Sequence, residues 1–244
     1  MAQTQISKAL WSVESAKAVK AQEYGYLNAI HYMSPHEIAG VGNLCPWATP
    51  SCKRICLGYH SGQAAMVANS ANVESKNNVR RSRDTKARQY MLERRRYMAE
   101  VVRQAARVIR KASEKGFLAA LRFNGSTDLV GEAVNLAHTF PTVKVNEYTK
   151  SFKFAMANAL GEHPSNLRVC FSRTEENEDD AIKILENGGL VSVVFAKTLP
   201  RTWGGFPVVD GDRHDLLHLW PRGVVIGLKA KGSARGDTSG FVVR

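Results

Sequence analysis

The chain has 244 residues, 44% of them hydrophobic, and a formal net charge of +12. That length fits one large domain or two small ones with a real core. No apolar run reaches the ~18 residues that a membrane span needs. The positive excess excludes an acidic, solvating chain and points to a polyanionic partner, with nucleic acid ahead of an acidic membrane surface.

Residues 1–22 read as polar and loosely structured or helical, ahead of one α/β domain over 1–244. Met1-Ala2-Gln3-Thr4-Gln5 lacks a basic-then-apolar secretory pattern, so a cytoplasmic location is expected. Tyr26–Met33 reads as a strand that Ser34-Pro35 ends. A loop with Pro35, Pro46 and Pro50 follows, then a helical stretch over 58–75. From 84 to 114, Met91, Met98, Val101, Ala105, Ile109 and Ala112 recur at steps of three and four, which predicts one long helix ended by Gly116. Strands are then expected at Phe117–Phe123, Val143–Tyr148, Leu167–Phe171, Leu190–Phe195, Pro207–Val209 and Val224–Leu228. Helices are expected between the earlier ones, at Leu129–His138, Phe152–Leu160 and Glu178–Glu186. Strands alternating with helices imply parallel βαβ units, and seven such strands fit a complete or partial TIM-like barrel.

Three of the four cysteines, Cys45, Cys52 and Cys56, lie in the loop after the first strand with spacing Cys-x6-Cys-x3-Cys. In a cytoplasmic protein such a cluster points to metal or redox chemistry rather than disulfides. Two cofactors fit the donors. An iron–sulfur cluster needs thiolates and can leave an iron open. Zinc needs four ligands, and His60 is the nearest fourth. Cys170 falls inside a strand and reads as core.

Parallel α/β folds carry their sites at the carboxyl ends of the strands. Those ends bear Asn124 and Asp128, then Lys150, then Arg173 and Glu175, then Asp210 and Asp212, then Lys229 and Lys231. Asp128, Lys150, Arg173, Asp210 and Asp212 are candidates for substrate handling or proton transfer. Asn124, Glu175, Lys229 and Lys231 are candidates for substrate binding. Each can also be an ordinary polar turn or cap. The segment 76–111 holds thirteen Lys and Arg against three acids. Arg80, Arg81, Arg83, Lys86, Arg88, Arg94, Arg95 and Arg96 are candidate phosphate contacts, although a basic helix can also be merely a solvated face.

Tyr26–Pro35, Asn43-Leu44-Cys45-Pro46, Cys52 and Cys56-Leu57 resemble the "gene product 88-like" family of phages and plasmids. The resemblance continues through Arg122–Asp128, Tyr148-Thr149-Lys150, Phe171–Glu175, Val209–Asp212 and Gly227–Gly232. It implies a bacterial host cell and no settled function. A more distant resemblance is to three-cysteine radical-SAM-like phage barrels, through the cysteines, Ser126/Asp128, Thr149/Lys150 and Glu176/Asn177. That resemblance implies a 4Fe-4S cluster on Cys45, Cys52 and Cys56, with S-adenosylmethionine on the remaining iron. The cysteine spacing differs from the usual Cys-x3-Cys-x2-Cys of radical-SAM enzymes, and no Gly-Gly-Glu segment is present. The sequence thus predicts a cluster-bearing barrel enzyme acting on nucleic acid or a nucleotide. Its rivals are a zinc-bearing barrel, such as a base-exchanging transglycosylase, and a non-catalytic nucleic-acid-binding or host-inhibiting protein.

Overall fold

A computed structural model describes residues 5–60 and 78–244. Its strands are β1 (Trp11–Ser12), β2 (Tyr26–His31), β3 (Leu118–Arg122), β4 (Lys144–Thr149), β5 (Leu167–Ser172), β6 (Leu190–Phe195), β7 (Thr202–Trp203), β8 (Phe206–Asp210), β9 (Val225–Lys229) and β10 (Val242–Val243). They form one ten-stranded sheet, ordered β1-β2-β3-β4-β5-β6-β9-β8-β7, with β10 paired to β6. All pairings are parallel except β1 with β2 and β7 with β8.

The expected parallel α/β architecture is present, but the strand path is open among the described residues rather than a closed barrel. The last two long strands also exchange places: β9 lies against β6 and carries β8 outside it. Nothing in the local pattern specifies that exchange, because neighbour choice is a tertiary property. β6 pairs with β5 through Leu190–Ser192 and with β10 through Val194–Phe195. The β5 and β6 ends therefore diverge at the carboxyl side, and the last strand fills the gap.

The helices are α1 (Ala16–Lys20), α2 (Pro50–Arg54), α3 (Leu57–His60), α4 (Asn78–Leu92), α5 (Arg94–Glu114), α6 (Val130–Thr139), α7 (Phe152–Ala159) and α8 (Glu178–Glu186). The predicted helix 84–114 is thus two helices. Glu93 leaves helical geometry at φ −133° and ψ 39°. The hydrogen bonds Glu93 N–H to Gln89 O and Tyr97 N–H to Glu93 O still bridge the break. No proline or glycine marks it, so the hydrophobic period reads straight through. The predicted 58–75 helix coincides with α3 only at 58–60; residues 61–75 lie outside the described residues.

One core packs Tyr90, Tyr97, Val101 and Ala105 against Ala29, Leu121 and Phe123. A second packs α6, α7 and α8 against Val145, Val169, Phe171, Val191 and Val193. Alternate residues face these helices, as a strand's two-residue period requires. The other face is covered by the 3-10 turn after α1, whose Ala21 clusters with Ala120 and Leu216, and by the 3-10 turn Leu217–Leu219, whose Leu217 meets Cys170, Leu190 and Ile226. Cys170 is fully buried there, as expected of core.

Candidate metal centre and its surroundings

The cysteine loop is built by local rules. Thr49 caps α2 by accepting the Cys52 amide at 3.2 Å, and Pro50 takes the first helical position. That places Cys52 on α2, with Cys56 just beyond its end. Cys45 is fixed earlier, where the Asn43 side chain accepts its amide at 2.8 Å. His36 turns the chain at φ 38°, in the left-handed region, and donates its amide to the Cys45 sulfur at 3.3 Å.

The loop after β3 seats both ends of this segment. Gly125 donates its amide to His31 O at 2.9 Å, and a Cβ there would stand 2.7 Å from that oxygen. Only glycine permits this approach. The next residue, Ser126, donates to Met33 O at 2.6 Å and faces the Cys45 sulfur with its carbonyl at 3.7 Å. Gly58 packs against Ser126 on the other side, and a Cβ on Gly58 would lie 3.6 Å from the Cys56 sulfur. Cys45 and Cys56, eleven positions apart, thereby flank one residue of another loop. All four cysteines are free thiols.

Lys150, at the end of β4, completes the group. Burial opposes its charge, but Cys52, Asp128 and Cys45 together hold its pKa above the usual lysine value, with a hydrogen bond to Cys52. Burial pushes the Cys45 thiol up to about 12, against the His36 amide and Lys150. Burial also raises Cys56, reinforced by Cys52 and offset by the amides of Gly58 and Tyr59. Asp128 is tied to the loop by its own amide, which donates to Leu44 O at 2.9 Å. Its Oδ2 accepts the Lys150 amide at 2.9 Å, while its Oδ1 is buried with no hydrogen-bond partner. Burial raises the Asp128 pKa, and Lys150 and Thr149 act against that.

Other predicted residues serve the scaffold. Asn124 donates to Glu147 Oε2 at 2.9 Å and accepts from Thr127 Oγ1 at 2.7 Å and from the Leu129 amide at 3.1 Å. Its amide group is thus committed to holding the loop. Arg173 grips Glu178 and the carbonyls of Gly240 and Phe241. Glu175 is half-buried near Gly240, with its Oε2 unpartnered. Asp210, Asp212 and Lys231 form a separate group: Asp210 accepts the Asp212 amide at 2.9 Å, and Lys231 pairs with Asp212 at 2.6 Å. Asp210 ends β8, Asp212 follows it and Lys231 follows β9, with β5 and β6 between these strands and β4. Lys229 is exposed at the end of β9.

The basic segment divides in the same way. Arg80 donates to Tyr59 O at 3.1 Å and lies over the Tyr59 ring, and Arg83 donates to Gly58 O and lies over Tyr32. Arg94 pairs with Glu132 and Arg96 with Glu93. Arg81, Arg88 and Arg95 are exposed, and Lys86 is half-buried.

Sequence reading missed four groups here. His36 is noticed only through its backbone angle. Glu147 is fully buried, and burial raises its pKa well above the usual range. Arg122 pairs with Asp215 at 2.7 Å, with both nearly inaccessible. Arg54 pairs with Asp237 at 3.0 Å. The long separations of the last two pairs leave no local signal.

No three or more His, Cys, Asp or Glu side chains are arranged to hold a single metal ion among the described residues. A family model described as Gene product 88 matches residues 3–244. The chain belongs to the Gene product 88 family. That membership agrees with the resemblance carried by the cysteine loop and the strand-end motifs. No curated protein and no solved structure matches this family member. The more distant likeness to radical-SAM barrels finds no support in these comparisons. No helix among the described residues is long and apolar enough to cross a membrane.

Proposed function

We propose that this Gene product 88 protein is an α/β enzyme that holds an iron–sulfur cluster through Cys45, Cys52 and Cys56 and acts on nucleic acid or a nucleotide. One observation carries the reading: three free thiols share electrostatic partners with Lys150 and Asp128 where β3 and β4 end. In a cubane each thiolate binds a different iron, so the ligands ring a volume. Zinc needs four donors around one point, and His60 would have to be the fourth. Three thiolates in one loop suit a cubane with an open iron better than a closed zinc site, and that donor set is what favours the cluster.

When bound, the cluster would supply one-electron chemistry. The chain's own groups do the rest. The Lys150 ammonium attracts an anionic substrate to the sulfurs. Asp128 presents its unpartnered Oδ1 as a proton acceptor. The open sheet fits a partial barrel whose concave end forms the mouth. The net charge and exposed Arg81, Arg88 and Arg95 favour a phosphate-bearing substrate.

Anaerobically purified protein should be brown, with iron and acid-labile sulfide in equal amounts, and Cys52→Ala should lose both. Colourless protein carrying stoichiometric zinc, or full iron occupancy in Cys52→Ala, would overturn the assignment. Reversing Arg81, Arg88 and Arg95 to Glu should weaken nucleic-acid retention and flatten its salt dependence.

A further inference from the structure

Arg173 is committed to the carbonyls of Gly240 and Phe241, and that points to the segment it holds. After β9, Ala230 donates its amide to Phe195 O at 2.8 Å, which fixes one end of residues 231–240 on the sheet. The other end is fixed by β10 and by Ala196, whose amide donates to Val243 O at 2.9 Å. Between these anchors the chain crosses to the cysteine loop. Its 3-10 turn Gly232–Gly236 packs on α3. Ala234, Phe241 and Val242 join Ile55 and Val194 in one apolar cluster, and Cys52 packs against it.

An ion pair links the two sides. Asp237 is 2% exposed and accepts from Arg54 of α2 at 3.0 Å. It also accepts from Ser239 Oγ at 2.8 Å and from the Val242 amide at 3.1 Å. The Ser239 bond is internal to the segment and the Val242 bond ties Asp237 to β10, so Asp237 stays held at the carboxyl end of the segment when Arg54 lets go. Gly232 at φ +55° and Gly240 at φ +91° stand near its ends, in backbone geometry that L side chains rarely adopt. Arg54 itself is mostly exposed.

We propose that residues 231–240 form a strap over the cysteine loop at α2 and α3, hinged near Gly232 and Gly240 and latched by Arg54 to Asp237, and that its opening increases access to Cys52, which is only partly exposed while the strap is closed. The strap rests on the packing and hydrogen bonds just described. Its consequence, control of cluster loading and substrate entry, rests on the reading of the preceding section.

The test uses the full chain, stripped by a chelator under anaerobic reducing conditions, so that it is independent of iron. Thiol modification by iodoacetamide is followed at each cysteine by mass spectrometry. Arg54→Ala should speed modification of Cys52 by roughly twofold to fivefold, with Arg54→Lys intermediate. Cys170, fully buried in the sheet, reports global opening and should not change. An unchanged Cys52 rate in Arg54→Ala would overturn the strap. So would a parallel acceleration at Cys170, because the segment would then open only with the whole fold. If the strap holds while the protein binds no iron, the cluster reading alone fails.

Discussion

On the helix-packed face of the sheet, Val145, Val169, Phe171, Val191 and Val193 meet apolar residues of α6, α7 and α8. On the opposite face, Arg122 and Asn146 meet Asp215 and Leu217 of the stretch that follows β8, Tyr148 packs on the cluster around Leu217, and Ser192 meets Phe171 and Ser172 of β5. Both faces are buried, but they differ in how much polar chemistry they enclose. The helix side is held mainly by shape and apolar area, where many small contacts share the stability. The other side adds buried polar links to its apolar cluster of Cys170, Leu190, Leu217 and Ile226. Arg122 reaches Asp215 and stacks over Tyr148 at 4.2 Å, and Asn146 Oδ1 accepts the Leu217 amide at 3.0 Å. Asn28 has both side-chain polar atoms buried and unpartnered. A face built this way concentrates its stability in single residues, because an orphaned buried charge costs more than a lost methyl group.

Three measurements break or sharpen that contrast. The largest effect is expected from Asp215→Ala, which leaves Arg122 buried and unpaired. Urea denaturation should show a loss of about 3–5 kcal/mol; a loss below about 1 kcal/mol would mean the polar face is held by something else.

Next comes acid. His31 lies on the helix side, fully buried, stacked on Phe123 at 4.4 Å. Its Nδ1 donates to Phe123 O at 3.1 Å, since a carbonyl only accepts, and Nε2 therefore accepts from Tyr97 OH at 2.7 Å. Burial, with the Lys86 charge, lowers its pKa to about 3 against the Phe123 carbonyl. The unfolded imidazole gains its proton near pH 6.5, so between 6.5 and 3 the unfolded state binds more protons. Stability must then fall as pH drops through that window, by roughly 3 kcal/mol at pH 4. His218 on the polar side, lowered to about 4 by burial and then by Lys144 and Arg168, adds loss of the same sign. His31→Phe should remove most of the helix-side share of the slope; an unchanged pH profile of unfolding would contradict it.

The smallest effect is Ser192→Ala. Its hydroxyl has only a weak contact to Ser172 Oγ at 3.3 Å and one to Phe171 O at 3.5 Å. Calorimetry should find a change of about 1 kcal/mol or less, in contrast with Asp215 on the same face.

The same contrast explains what the sequence discloses. Leu190–Phe195 is read correctly to the residue, because a strand buried on both faces is a continuous apolar run bounded by turn residues. The helices α6, α7 and α8 are legible from their period to within one residue at their ends, whereas the period over 84–114 hides both the break at Glu93 and the start of α4 at Asn78. The grouping of Cys45 and Cys56 is foreshadowed by their spacing, although the role of Ser126 between them is not. The β8–β9 exchange, β10 and the Arg122–Asp215 and Arg54–Asp237 pairs depend on contacts across tens to nearly two hundred positions, where one-dimensional patterns carry no information. Arg173 shows the limit most clearly. Its place after a strand suggests chemistry, yet its guanidinium is occupied by backbone carbonyls that arrive from the far end of the chain.

Arg80 and Arg83 carry a consequence of another kind. Their head groups satisfy carbonyls of Gly58 and Tyr59, immediately beyond Cys56, while their helix belongs to the most cationic stretch of the protein. A polyanion that drew these two guanidiniums outward would strip the α3 turn of its donors. Ligand capture along the helix and the seating of a sulfur would then compete for the same two side chains, and tightening one would loosen the other.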